Sequence, residues 1–196
     1  MKKGLLVYLL VTALGLGHTV AAQDEVEFDE EIVYEGEIER GIRAGWQQSI
    51  IVINNEKVFT DPLNSFYIGF FTTDSIASFL KFEGGFEYYQ AGGKTKDLDT
   101  ELKLHYISVP LSLKFKLGPV YALGGVSGSV NLMGDYKRNG EDLGDKDFTT
   151  FNAGAHIGGG VKFYRLGIEA RYNWGIIDVY QGYKTNHLQI GAVWYF

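Results

Sequence analysis

The chain of 196 residues contains no cysteine, only three prolines and no excess of positive charge. The absence of cysteine excludes disulfide bonds, thiolate metal sites, cysteine nucleophiles and a lipid anchor on an amino-terminal cysteine. After Arg40 there is no segment with helical spacing and no apolar run near the length of about 20 residues that a membrane helix needs. The formal net charge of −6 makes nucleic acid an improbable partner.

Glycine and aromatic residues, in contrast, are abundant. The chain has 26 glycines, and Phe, Trp and Tyr together make up 15% of its positions. This composition suits β-structure with tight bends better than helices, and the length suits one domain. The composition therefore favours an all-β fold.

The first 22 residues have the pattern of a cleaved secretory signal. Two lysines precede an apolar stretch, and Val20-Ala21-Ala22 provides small residues for cleavage. A membrane-spanning anchor is the weaker interpretation, because Gly15, Gly17 and His18 interrupt the stretch. We predict a signal peptide at 1–22 and export of the rest.

An acidic leader follows, over residues 23–39, with nine carboxylates and no basic residue. From Arg40 onward the chain is nearly neutral, with 15 acidic and 16 basic residues. A run of like charges is typically solvated and disordered, although this one could bind cations or a basic partner. The barrel domain described next is predicted over 40–196.

Alternation of apolar and polar residues recurs through the remainder. In "YISVPLSLKFKLG" the residues Ile107 to Leu117 are apolar at every odd position, and serine and lysine face the other way. "LKFEGGFEYY" and "RLGIEARYNWG" behave likewise. Eight strands are predicted, near 40–50, 63–73, 78–90, 102–117, 120–132, 148–163, 166–178 and 186–196.

The connections alternate between short and long. Gly118-Pro119 and Tyr164-Arg165 are two-residue turns, the turn near 73–77 is longer, and "GDYKRNGEDLGDKD" is a long polar loop. Short inner turns and long outer loops are typical of an outer-membrane barrel. Rings near strand ends support a bilayer interface; they are Trp46, Tyr106, Tyr164, Trp174, Tyr180 and Trp194. The alternative is a soluble lipocalin-like barrel with its apolar faces around a ligand.

Four stretches carry a family resemblance: "GIRAGW", "YISVPLSLKFKLG", "RLGIEARYNWGIIDVY" and "HLQIGAVWYF". In order and spacing they resemble the PorT-like outer-membrane β-barrel domain family, from about Gly41 to Phe196. The resemblance implies an eight-stranded antiparallel transmembrane barrel of the small outer-membrane type. It also implies that the closing strand, with Trp194 and Phe196, is an assembly signal for the barrel assembly machinery. Founding members are linked to type IX secretion, which makes an accessory role in protein secretion one hypothesis.

If the apolar faces point to lipid, the polar faces meet in the lumen. The predicted lumen polar network consists of Arg43, Glu83, Glu87, Lys114, Lys116, His156, Glu169, Arg171 and Asn173. Gln47, Lys81, Asn152 and Lys162 face the same way. With a two-residue turn at 164–165, Glu169 is expected opposite Gly160 and Arg171 opposite Gly158. Charges of both signs can pair across a lumen only wide enough for side chains, so a filled plug is favoured over a pore.

No catalytic site, metal site or cofactor is predicted. Some eight-stranded barrels modify lipid A with His, Ser and an acid near the rim, and His105 and His187 lie near strand ends, so such an enzyme is a further alternative. Ser127 and Ser129 lack the G-x-S-x-G elbow, and "GEDLGDKD" lacks the spacing of a calcium loop. The leading hypothesis is a non-enzymatic protein of the outer-membrane lipid bilayer, with a partner at loop 133–147 or at the leader.

Overall fold

The computed structural model describes residues 38–53, 56–57, 61–95, 100–138, 141–142, 149–178 and 183–196. The predicted signal peptide, the leader up to residue 37 and Tyr180 lie outside these ranges. Eight long strands are present: β1 (Glu39–Ile53), β2 (Asp61–Ala77), β3 (Leu80–Thr95), β4 (Thr100–Leu117), β5 (Val120–Arg138), β6 (Phe151–Phe163), β7 (Leu166–Gly175) and β8 (Lys184–Tyr195). Two-residue strands at Glu56–Lys57 and Glu141–Asp142 extend the β1 and β5 edges.

The eight strands form a closed antiparallel barrel, as predicted. Each long strand pairs with its neighbour in sequence, and β1 also pairs with β8. This closing seam runs from Gly41 opposite Tyr195 to Val52 opposite Lys184. Closure leaves no unpaired sheet edge, which is the condition for a sheet to survive in lipid. Among the described residues there is no helix long and apolar enough to cross a membrane.

Three tight turns lie at one end of the barrel, which we call the turn end; the opposite end is the loop end. The turns are Ser78–Phe79, Gly118–Pro119 and Tyr164–Arg165. The prediction of a longer turn near 73–77 is wrong, because β2 continues to Ala77 through an irregularity in its pairing with β3 after Ser75. Gly118 and Tyr164 have φ values of 65° and 58°, the left-handed conformation that such turns require.

The two faces of the wall differ sharply in polarity. The outward face carries apolar side chains on every long strand, such as Phe66 on β2, Leu113 on β4, Ile157 on β6 and Ile190 on β8, all more than a third exposed. The lumen instead holds the buried arginines, glutamates and glutamines. The lipocalin-like alternative is therefore wrong, since that fold keeps its apolar face inside.

One aromatic residue of the predicted girdle is misplaced. Trp46, Trp174, Trp194 and Tyr164 lie on the outside, whereas Tyr106 is fully buried in the lumen. Tyr106 has the same parity in β4 as Ser108 and Leu104, which also face inward. Its ring stacks on Tyr89 at 5.1 Å between ring centroids.

The lumen contains two apolar clusters in addition to its charged residues. An apolar cluster fills the loop end and consists of Ile51, Tyr67, Tyr89, Ala91, Leu102, Leu104 and Tyr106. A smaller cluster of Phe71, Val193 and Tyr195 lies toward the turn end. Between and beside these clusters lie the charged residues described next.

Candidate functional site

Glu83 is the first centre of a buried ion network in the lumen. Its two carboxylate oxygens accept from cations on different strands, Arg43 of β1 and Lys114 of β4; the Lys114 Nζ lies 2.5 Å from Oε2. All three side chains are at least 95% buried. Glu83 therefore links three strands of the wall through charge-assisted hydrogen bonds.

Glu169 and Glu87 extend the network across the lumen. Glu169 of β7 accepts from the Arg43 Nη1 at 3.1 Å and from the Tyr121 hydroxyl at 2.8 Å. Arg171 lies between the two carboxylates: its Nε is 3.2 Å from Glu169, and its Nη2 donates to Glu87. The six ionised residues are thus joined by continuous contacts, and we call them the central ion network: Arg43, Glu83, Glu87, Lys114, Glu169 and Arg171.

Amide side chains continue these contacts toward the loop end. The Gln189 Nε2 donates to Glu87 Oε1 at 2.6 Å and to Gln47 Oε1 at 2.9 Å. Gln47 in turn donates to the carbonyl of Gln90 at 2.5 Å, and Asn173 donates to Gln189 at 3.2 Å. These amides satisfy polar groups that would otherwise be buried without partners.

Glycines in β6 make room for the long side chains. Glu169 pairs with Gly160 and Arg171 with Gly158, which is the register expected from the turn at 164–165. A Cβ at Gly158 would lie 2.6 Å from the Arg171 Cγ, and one at Gly160 would lie 2.6 Å from the Tyr121 hydroxyl. The run "GGG" therefore provides space in the lumen wall, not a phosphate loop.

Charge in the central ion network is balanced, with three carboxylates and three cations, all at most 5% exposed. Aromatic rings support the cations: the Arg43 guanidinium lies 4.3 Å from the Phe71 centroid, and the Lys114 Nζ lies 4.3 Å from that of Tyr121. A lumen of this width is filled by such side chains. The arrangement can seal the barrel and hold its wall together.

A second ionic contact lies at the turn-end mouth. Glu39, which the sequence assigned to the leader, is the first residue of β1, and its carboxylate accepts from Lys81 at 2.9 Å and from Lys162. The Lys162 Nζ also lies 4.0 Å from the Tyr195 ring centroid. Lys116, predicted in the lumen network, is half-buried near this mouth, and no ion pair is found for it within the described part of the chain.

His156, which was predicted as a member of the lumen polar network, bonds to a serine and not to the central ion network. Its Nε2 lies 2.7 Å from the Ser112 Oγ, the contact expected of a nucleophile and its base. The Nδ1 has no hydrogen-bond partner among the described residues, so the orienting acid of a catalytic triad is missing there. Both side chains are over 95% buried, which denies a substrate access.

The two rim histidines lie on opposite sides of the wall. His187 is buried in the lumen, where its ring stacks on Tyr89 at 4.9 Å. His105 lies outside, with its Nδ1 2.7 Å from the Tyr88 hydroxyl and its Nε2 3.5 Å from Asp135. No serine hydroxyl bonds to either ring in the portion that the structure describes.

Sequence reasoning named all six members of the central ion network, but it missed several uncharged partners. Gln189, Tyr121 and Ser112 were not singled out. Gln189 could have been found, because Ile190, Ala192 and Trp194 alternate with it and it must then face inward. Tyr121 gave no such signal, since a tyrosine suits either face of a strand.

The family model "Outer membrane protein beta-barrel domain" matches residues 21–181, most of the chain. The chain belongs to this family. This outer-membrane barrel therefore resides in the outer membrane of a bacterium, as its apolar outer face requires. The match is broader than the PorT-like family that the sequence motifs suggest. None of the curated proteins is similar enough to be matched to it.

Solved structures support the same architecture. The barrel is similar to Ail, the attachment invasion locus protein of Yersinia pestis, with a TM-score of 0.54, 18% identity, and coverage of 82% of this chain and 99% of Ail. It is also similar to Neisserial surface protein A, with a TM-score of 0.56, 16% identity, and coverage of 80% and 97%. At such identity the likeness concerns the fold alone.

Proposed function

We propose that this outer-membrane barrel is a non-catalytic, non-conducting protein that acts through its two ends. Its partner would bind the outer loops, above all the segment 133–147, or the acidic leader. The structure describes the beginning of that segment as part of β5, which runs to Arg138. A strand pair projecting beyond the apolar band would present the loop at a distance from the membrane surface.

The observation that carries the proposal is the central ion network. It fills the lumen with six buried ion-paired side chains, and two apolar clusters occupy further space beside it. A solute would have to break several charge-assisted bonds in a medium where each is strong. A role in transport is therefore disfavoured, and we place the protein partner at the ends of the barrel.

Conductance across a planar bilayer tests the non-conducting part. We expect the full chain, inserted in detergent-free bilayers, to give no stable current steps. The double variant Arg43→Ala, Glu83→Ala removes both partners of one pair and is expected to give measurable steps, which shows that insertion can be detected. Stable steps from the unmodified chain would overturn the proposal.

Protease treatment of intact cells tests which end is exposed. Outer-membrane barrels have short periplasmic turns and longer extracellular loops, so the loop end should face outward. We expect cleavage within 133–147 in intact cells and cleavage of the leader only after the outer membrane is permeabilised. The reverse pattern would invert the topology.

A second candidate is an accessory role in protein secretion of the type IX kind. It is favoured by the resemblance of "RLGIEARYNWGIIDVY" and "HLQIGAVWYF" to PorT-like barrels. None of the contacts described above bears on it. A deletion strain should then lose a set of secreted proteins from its culture medium. An unchanged set would remove this candidate while leaving the sealed-barrel proposal intact.

A further inference from the structure

The outer wall carries an apolar groove along the seam between β2 and β3. It has a volume of about 380 Å³ and is bordered by Ile68, Phe70, Phe86, Tyr88 and Ile107. Several of these side chains are more than a third exposed, so they face the lipid and not the lumen. The volume lies within the range of about 300 to 1,000 Å³ that small-molecule sites occupy.

A polar cluster begins where the groove ends toward the loop end. The Tyr88 ring borders the groove, while its hydroxyl accepts from the Gln90 Nε2 at 3.1 Å and lies 2.7 Å from the His105 Nδ1. Since the tyrosine oxygen accepts from Gln90, its own proton is free to go to His105. The other ring nitrogen of His105 then faces Asp135, 3.5 Å away.

The register places a lysine beside this cluster. On the outward face, Gln90 lies opposite His105, and Lys103 lies next along β4, opposite Asp135 of β5. Lys94, one row further, is already paired with Glu101 at 3.0 Å. Lys103 makes no ion pair closer than 4 Å within the described ranges, so its ammonium is available to an anion at the membrane surface.

Polar groups are costly on the lipid-facing side of a strand, and the cost falls toward the interface. Here the hydrogen-bonded side chains of Tyr88, Gln90 and His105, with Asp135 near the His105 ring, lie immediately beyond Phe86 and Ile107 of the apolar band. An apolar groove that continues into hydrogen-bonding groups and an ammonium has the two-part chemistry of a membrane lipid. The chain of the lipid would occupy the groove, and its anionic headgroup would meet Lys103.

We propose that the β2–β3 groove and the cluster above it form a specific binding site for a phosphorylated glycolipid of the outer leaflet, of the lipid A class. One acyl chain lies against Ile68, Phe86 and Ile107. A phosphate contacts Lys103, and the amide of Gln90 provides a further donor to the sugar and phosphate oxygens. The site takes the loop end as extracellular, so that the cluster meets the outer leaflet.

Native mass spectrometry of the full chain in detergent, with purified lipid A added, tests this site. Ile107→Trp should fill the groove, and Lys103→Gln should remove the phosphate partner. We expect each to weaken retention of lipid A about tenfold, Lys103→Gln by loss of a charge-assisted contact and Ile107→Trp by steric exclusion of the acyl chain. Lipid A stripped of its phosphates should bind the unmodified chain about as weakly as lipid A binds Lys103→Gln.

Matched controls are available elsewhere on the wall. Ile157→Trp adds the same ring to the outward face of β6, and Lys184→Gln removes an ammonium at the loop end of β8. Both should retain lipid A like the unmodified chain, and all variants should show heat-modifiable gel migration as evidence of a folded barrel. Equal retention by all four variants would show annular lipid only and overturn the proposal. Weakening by Ile107→Trp alone would overturn the proposed contact between Lys103 and the headgroup phosphate.

Discussion

Glu83 is the residue on which most of the lumen depends. It accepts from Arg43 and Lys114, which come from different strands. All three residues are buried, so water cannot replace the carboxylate as the partner of either cation. Taking charges out of water is expensive, and the cost is offset only while the pairing is complete. Removing Glu83 therefore takes away the carboxylate partner of Lys114 and leaves Arg43 with Glu169 alone.

We expect Glu83→Gln to lower the free energy of unfolding by about 3 to 5 kcal/mol, because removing one partner of a buried ion pair leaves the other unpaired. Urea titration of the refolded barrel in detergent, followed by tryptophan fluorescence, measures the change. Glu101→Gln is the matched control, since it breaks the half-exposed pair with Lys94. That control should cost less than about 1 kcal/mol. Equal effects would mean that the central ion network contributes no more than a surface pair.

Strand β6 illustrates how a whole element is adapted to its neighbour. Its inward positions 158 and 160 are glycines because Arg171 and Tyr121 cross in front of them. Glycine has a low strand propensity, but at these positions it leaves the space that the two long side chains need at the lumen wall. Gly128 on β5 has a different environment, since a Cβ at this position would meet nothing within 4 Å.

Valine at these two glycines should therefore have different effects on stability. Gly158→Val should destabilise the barrel by about 1 to 3 kcal/mol through overpacking, since its Cβ would lie 2.5 Å from the Ala170 carbonyl oxygen. Gly128→Val should leave stability unchanged or raise it by about 0.5 to 1 kcal/mol, because glycine weakens a strand interior. The comparison is made from urea midpoints in one detergent. Similar losses for both would show that β6 has no special need for space.

The elements differ in how well their sequence defined them. In β4 and β7 one face is apolar and the other polar, so both strands were predicted, and the two-residue turn at 164–165 also gave the register of β7 against β6. β2 gave no such contrast, because Phe66, Ile68 and Phe70 face lipid while Tyr67 and Phe71 fill the lumen. Its extension to Ala77 depends on pairing with β3, which a single strand's sequence does not contain.

For the central ion network, the members could be predicted from the sequence, but the pairs could not. The ionised residues of the polar strand faces were recognisable as members of a network, because a buried charge needs a partner. Which cation meets which carboxylate depends on strands distant in sequence: Arg43 and Glu169 are 126 residues apart. The lipid-facing cluster of Tyr88, His105 and Asp135 was not predicted, because its members come from three strands whose alignment only the closed barrel fixes.

At the scale of the whole molecule, the closing strand ends on the predicted assembly signal. The Phe196 amide donates to the Arg40 carbonyl at 3.0 Å, and its ring lies 6.3 Å from those of Phe70 and Trp194. More than half of the Phe196 side chain is exposed to the lipid side. Such a ring contributes little to the packing of the barrel, which leaves recognition during insertion as its proposed role.

Phe196→Ala should therefore lower the amount of barrel inserted in cells several-fold without a matching loss of stability. Outer-membrane fractions run with and without boiling measure insertion by heat-modifiable migration, and urea unfolding of the purified variant measures stability, expected to fall by less than about 1 kcal/mol. Phe163→Ala, at the end of β6, is a control for loss of an exposed ring. Normal insertion of Phe196→Ala would remove the assembly-signal proposal.

The closing seam between β1 and β8 also determines how the chain can fold. Its residue pairs, from Gly41 with Tyr195 to Val52 with Lys184, join the two ends of the domain. The entropic cost of loop closure comes before any hydrogen bond of this seam can form, so β1 must wait for the last strand. Until then two strand edges lie unpaired, a state that the hydrocarbon core does not tolerate. Insertion and closure therefore have to be one cooperative event.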